Sequence, residues 1–227
     1  MIPDGRAFLR LLTWLSPSFP VGGFSYSHGL EFAVEAGLVR DRVELVGWLD
    51  TVLTHGAGRV DATLLAAAWR AAHADDAAGL AAATEWGAAL RGTKETALES
   101  AAQGRAFLDT VRRVWPDPWL DGQGEALAAG GHATAVGIVA ARAGVPLEPT
   151  IAGYLHAFTA NLVSAAVRLV PLGQTDGQRA LAALEPVILA ASAAASLRPL
   201  AEIGSATPLV EWASMRHETQ YTRLFRS

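Results

Sequence analysis

Cysteine is absent from all 227 residues, which removes disulfides, thiolate metal ligands and thiol nucleophiles. Charge is sparse as well. Asp, Glu, Lys and Arg make up 18% of the chain and leave a net charge of −4 at pH 7, with no basic stripe to meet nucleic acid. Alternating β-branched runs bounded by hairpin turns are not found, so a sheet is not expected. A Gly-x-Ser-x-Gly elbow, a His-Glu-x-x-His helix and a lysine-bearing phosphate loop are missing too, and catalysis by those routes has no support. No cationic segment leads into an apolar run after Met1; no signal peptide is expected, and the cytoplasm is the expected compartment. The stretch 149–167 has no Asp, Glu, Lys or Arg and is long enough to raise the question of a membrane span. Tyr154, His156, Thr159, Asn161 and Ser164 are spread through it, which fits a central helix of a soluble bundle better.

What remains is helix-forming material. Hydrophobic residues are 51% of the chain and alanine is about a fifth. Phe8, Leu11, Leu12 and Leu15 repeat at helical spacing, and 26–36 reads as a second helix closed by Gly37. Asp41 with Glu44 has the form of a capping box, placing Val43, Val46, Leu49 and Leu53 towards a core. Helices are predicted over 61–72, 75–90, 93–115, 124–143, 149–170 and 175–197, with Pro186 kinking or splitting the last and Thr207-Pro208 opening a short one. The expected fold is all-α: one multi-helix bundle of about ten helices over 1–213, followed by a polar tail, 214–227.

That tail reads Ser-Met-Arg-His-Glu-Thr-Gln-Tyr-Thr-Arg-Leu-Phe-Arg-Ser. Arg216, Arg223 and Arg226 face one acid, Glu218, with Tyr221, Leu224 and Phe225 interleaved. Planar aromatics and guanidinium groups are the composition of an interface anchor, and the tail has two readings: an anchor that is mobile alone and orders on a partner, or a merely docked or frayed C-terminus. His217 and Glu218 are adjacent and diverge on a helix, which argues against an acid/base pair.

Three other segments invite a functional reading. His28, Glu31 and Glu35 in 26–36 stand at i, i+3 and i+7, a metal-like set that lacks a second cluster; a capped helix with a solvated acidic face is the favoured alternative, and no metal or cofactor is expected. A hydrolase or isomerase using His28 with Glu31 would require a deep pocket around both. Arg91, Glu95 and Glu99 sit one turn apart and read as an ordinary charged helix face. The segment 168–178 reads as an inter-helix turn.

Ser-Pro-Ser-Phe-Pro-Val-Gly-Gly-Phe-Ser-Tyr-Ser-His-Gly-Leu-Glu at 16–31, Asn-Leu-Val-Ser-Ala-Ala-Val-Arg-Leu-Val-Pro-Leu-Gly-Gln-Thr-Asp-Gly-Gln at 161–178 and the tail resemble, in that order, the UreF family of urease accessory proteins. The resemblance implies a non-catalytic scaffold that, with UreD (also called UreH) and the GTPase UreG, inserts nickel into apo-urease. It places partner contacts at Arg216, His217, Glu218, Tyr221, Arg223, Leu224, Phe225 and Arg226, with Phe24, Tyr26, His28 and Glu31 as a second surface. Gly153, Tyr154, His156 and Ala157 are the candidate seam of a homodimer, with internal packing as the equal alternative. A GTPase-activating role towards UreG is the alternative.

Overall fold

The computed structural model describes residues 4–123 and 126–227. Among these there are eleven α-helices and no strand: α1 (Gly5–Trp14), α2 (Leu30–Glu35), α3 (Arg42–His55), α4 (Ala57–His73), α5 (Ala77–Ala89), α6 (Lys94–Val114), α7 (Pro118–Gly122), α8 (Gly131–Arg142), α9 (Leu147–Leu169), α10 (Gln174–Ala195) and α11 (Pro208–His217). Short 3₁₀ turns lie at Gly23–Ser25, Ala126–Gly130 and Leu200–Glu202.

The centre of the bundle is α8 against α4. Nearly every residue of α8 is buried, and its small side chains let the α4 backbone come close. At Gly137 even a methyl would lie 2.4 Å from the Leu65 carbonyl oxygen. Around this pair α5, α6, α9 and α10 close the core, while α1 docks through Ala7, Leu11 and Trp14. Trp14 meets Phe107 and Trp115 edge-on, at ring separations of 6.4 and 5.8 Å.

Local chemistry sets the helix starts. The Asp41 carboxylate accepts the Val43 and Glu44 N–H groups, Thr93 and Thr96 cap α6 reciprocally, and Asp117 caps α7. Several sequence expectations move. Glu44 turns back to Arg40 instead of closing the box, and α3 buries Leu45, Leu49, Val52 and Leu53 while Val43 stands in solvent. On α1, Phe8 and Leu12 are exposed, because Leu11 and Trp14 define the packed stripe. The helix expected over 26–36 shrinks to α2, since His28 and Gly29 hold left-handed backbone, φ 56° and 75°. In the helix expected over 124–143, residues 124 and 125 lie outside the described set, and α-helix begins at Gly131. Pro186 sits inside an uninterrupted α10, whose packing on α3 and α9 outweighs one missing N–H. Length and composition make α9 the one described helix that passes as a membrane span, yet it is half-buried against α10, α4 and α2. The most enclosed helix is α8.

Candidate partner-binding site

The boundary expected after residue 213 falls within α11, which continues through Ser214 to His217. Beyond it the chain doubles back across α2 and α6, and its last residue, Ser227, is fully buried. A close approach makes this possible: a methyl on Gly29 would sit 2.6 Å from the Ser214 nitrogen, and the left-handed φ there also suits glycine.

Three buried carboxylates receive the returning segment: Glu31 from α2, Glu95 and Glu99 from α6. The His217 ring is wedged between two of them, Nδ1 2.7 Å from Glu95 and Nε2 3.1 Å from Glu31. Glu31 also accepts the backbone N–H of Leu224 at 2.6 Å and of Phe225 at 2.9 Å. Arg223 Nη1 donates to Glu95 at 2.8 Å, and the Ser227 hydroxyl donates to Glu99 at 2.8 Å. The Ser227 carbonyl accepts both the N–H (2.8 Å) and the hydroxyl of Ser27, and the Arg226 N–H donates to the Ser25 carbonyl at 2.8 Å. Buried carboxylates are costly without such partners. The tail supplies them.

From the other side α9 holds the same turn. Asn161 Nδ2 donates to the Gly23 carbonyl at 2.9 Å, Arg168 donates to the Phe24 carbonyl at 2.9 Å, and the Arg168 guanidinium lies 4.3 Å over the buried Phe225 ring. The 16–31 segment, α9 and the tail, far apart in sequence, therefore form one structural unit.

Tyr26, His28, Glu31, His217 and Phe225 all lie inside this unit, so with the tail docked they support the surface and do not form it. Phe24, Arg216, Tyr221, Leu224 and Arg226 point outward; Tyr221 is wholly exposed and Leu224 is 64% exposed. Arg216 rests near the Phe32 ring and Arg226 near the Tyr26 ring. Trp212 and Met215 extend the exposed apolar area along α11. Glu218 is half-buried, and Arg223 is shared between its bond to Glu95 and solvent. Of the two readings of the tail, the structure has the docked one, held by groups that look solvated in sequence.

Other expectations are corrected in the same way. Arg91 precedes α6 and pairs with buried Asp61 at 2.8 Å, while Glu95 and Glu99 face inward; the supposed charged surface of 91–99 is the wall of the cradle. His28 turns to Glu99 at 2.9 Å, Glu31 to His217, and Glu35 to Gln220 at the surface, so the three do not converge. No metal-type group of three ligands occurs among the described residues. Of the candidate dimer seam, Tyr154 is buried and donates to Asp61 at 2.8 Å, Gly153 packs on Leu15, Ala157 is half-buried, and His156 alone is exposed. Glu95, Glu99, Asp61, Arg91 and His132 carry the buried polar framework; the sequence reading took Arg91, Glu95 and Glu99 for surface and did not single out Asp61 or His132. Apart from Gln103, one turn from Glu99, the side-chain partners of Asp61, Arg91, Glu95 and Glu99 are 30 to 128 residues distant.

A cavity of about 320 Å³ lies beside this framework, with His28 on its wall but not Glu31. The paired hydrolase geometry is absent. Burial pushes the His28 imidazole down, but the Glu99 charge and hydrogen bond, with Asp61 further off, outweigh it and leave the pKa above the ordinary histidine value. Burial dominates at His132, which falls to about 4. Burial, reinforced by the Asp61 charge, raises the Tyr154 phenol well above the usual range.

The family model for UreF matches residues 39–185. A urease accessory protein UreF of Rhodopseudomonas palustris (strain TIE-1) is 54% identical over 99% of this chain and 94% of its own length. One from Bradyrhizobium sp. (strain ORS 278) is 54% identical over 97% and 92%, and one from Granulibacter bethesdensis is 51% identical over 97% and 94%. The family model takes in Glu95 and Glu99 but not Glu31 or the C-terminal segment, whereas the Rhodopseudomonas relative covers 99% of the chain.

Proposed function

The chain belongs to the UreF family, and on that premise we propose that it is a non-catalytic scaffold of urease maturation, joining UreD and the GTPase UreG in a complex that loads nickel into apo-urease. The observation that supports this reading is the two-sidedness of the C-terminal segment. Its inner side is tied by Glu31, Glu95 and Glu99, and its outer side presents Tyr221, Leu224, Arg216 and Arg226 with no internal partner for the Tyr221 ring or the Leu224 side chain that would bury them. A rigid loop offering an aromatic, an aliphatic and two guanidinium groups is built for recognition, because the ordering entropy is met in the free protein. UreD is the partner assigned to this surface. Phe24, 67% exposed on the neighbouring turn, adjoins it.

The competing role is activation of UreG by an arginine supplied in trans. Arg223 is already engaged with Glu95, which favours an anchoring role for that residue. Co-elution of the chain with UreD and UreG, together with GTP turnover of the recovered complex, separates the two. Scaffold function predicts that Tyr221→Ala with Leu224→Ala removes the chain from the complex. Intact assembly with GTP turnover reduced about a thousandfold in an Arg216 or Arg226 variant would support activation instead.

A further inference from the structure

The tail is fastened largely by imidazoles, where a permanent ion pair would use lysine or arginine. Glu31, Glu95 and Glu99 are buried, and among the described residues Arg223 is their one ion-pair partner with a permanent charge. It is 41% exposed and reaches Glu95 alone. The other partners are His217, between Glu31 and Glu95, and His28, 2.9 Å from Glu99. Buried carboxylates need compensating charge as well as hydrogen bonds. Two imidazolium ions supply it, and two neutral rings do not.

The His217 ring is fully buried, with Nδ1 2.7 Å from a Glu95 oxygen and Nε2 3.1 Å from a Glu31 oxygen. A neutral imidazole has one N–H and one lone pair, so one of these contacts would set the lone pair against a carboxylate; the doubly protonated ring donates to both. The proton belongs on the ring. Glu31 Oε1 accepts the Leu224 N–H, Glu31 Oε2 the Phe225 N–H and Glu95 Oε1 the Arg223 guanidinium, and such donors favour ionised carboxylates. The charged groups around His217 are thus Glu31 from α2, Glu95 from α6 and, beyond Glu95, Arg223 of the tail itself.

His28 faces Glu99 of α6, with Asp61 of α4 and Arg91 further off, and α9 presents the Phe158 ring to it. Burial lowers the His28 pKa, but the Glu99 charge and hydrogen bond more than reverse this and leave it above the ordinary histidine value. Glu99 also accepts the Ser227 hydroxyl, so this second imidazole acts at the far end of the same segment.

We propose that the C-terminal segment is a proton-coupled latch: residues 217–227 dock on the cradle with His217 and His28 as imidazolium ions, and loss of these protons frees the segment together with the outer surface it carries. For His28, the hold on Glu99 is complete below the ordinary histidine pKa and fades as pH rises through the higher folded value. Deprotonation of His217 takes a donor from Glu31 or Glu95 and acts in the same direction. The latch is a property of the free chain and does not depend on what meets its outer side.

The test follows the ¹⁵N-labelled full-length chain by NMR. At pH 7 the His217 ring, assigned through its own backbone, is expected to show a proton on both nitrogens. Hydrogen-exchange protection of the Leu224 and Phe225 amides, taken against an unstructured chain at the same pH, is expected to fall about tenfold or more from pH 6 to pH 9. In His217→Gln, whose amide cannot take up the charge, the fall should be smaller by about threefold or more, with His28 accounting for the remainder. If His217→Gln does not fold, the ring spectrum and the pH dependence of the parent decide. A His217 nitrogen without a proton at pH 7, unchanged protection from pH 6 to 9 in the parent, or an equal fall in the variant would overturn the latch.

Discussion

The two sides of the last fourteen residues share one short segment and have opposite fates. His217, Phe225 and Ser227 are buried and joined to carboxylates of α2 and α6 or to the 23–27 turn, whereas Tyr221 and Leu224 touch little of the body. Residues of one short segment serve as internal fastening in one case and stand in solvent in the other, where we propose that they meet a partner. The difference is which residues find Glu31, Glu95 and Glu99. A segment rich in interface residues thus need not be loose, and part of its chemistry is spent on holding the rest in position.

The sharpest way to break this distinction is to remove residues 218–227. Their loss leaves Glu31 without its two backbone donors, Glu99 without Ser227 and Glu95 without Arg223. Stripping partners from buried charged groups costs about 3 to 5 kcal/mol. For a chain of this size that is a fall in Tm of about 6 to 20 °C, readable by circular dichroism. An unchanged Tm would restore the tail that sequence alone suggests, dispensable to the fold.

The framework beneath the cradle gives a pH-dependent test. His132 has its folded pKa lowered to about 4 from 6.5, so the unfolded chain binds a proton that the folded one refuses between those values. Stability from this group is present above about pH 6.5 and is lost as pH falls towards 4, by about 3 kcal/mol in all. His28 acts in the opposite direction: its contribution is present below the ordinary histidine pKa and fades as pH rises through its higher folded value. Denaturant melts of the parent and His132→Gln from pH 4 to 7 should show a shallower acid loss in the variant. Parallel curves would contradict the assignment.

Arg223 sits between the two sides and should behave accordingly. Because its side chain is 41% exposed, Arg223→Ala is expected to cost the fold only about 1 kcal/mol. UreD co-elution should weaken, while complexes that still form hydrolyse GTP at the normal rate. The smallest expected effect is on nickel. Six scattered histidines, no cysteine and no ligand group of three among the described residues predict no stoichiometric submicromolar site by calorimetry. Such a site, lost in His28→Ala, would return the metal reading to the 28–35 segment.

Helical periodicity and capping chemistry made the bundle legible: Asp41, Thr93 and Thr207-Pro208 mark real helix starts, and Leu49 and Leu53 do face the core. The site was legible only as a list of residue types. That Tyr221 and Leu224 would stand outside and His217 and Phe225 inside depends on carboxylates more than one hundred residues away in the chain. Glu95 and Glu99, one turn apart on a charged helix, carry no local sign of burial, because burial of a charge is decided by the partner that arrives and not by the helix that offers it. The left-handed His28-Gly29 step was hidden for a related reason. The contact that excludes a side chain at Gly29 comes from Ser214, far along the chain.

The central claim is that one segment is fold on its inner side and binding surface on its outer side, and it is tested most directly by measuring Tm and UreD co-elution for two variants in parallel. Tyr221→Ala with Leu224→Ala should leave stability within about 0.5 kcal/mol of the parent and weaken UreD binding by about thirtyfold or more. His217→Ala, which leaves Glu31 and Glu95 facing each other without the imidazole, should lower stability by about 3 kcal/mol and weaken binding through the displaced loop. If the outer pair lowers Tm as much as His217→Ala does, or if UreD binds the outer-pair variant as well as the parent, the division of the segment into two sides is wrong.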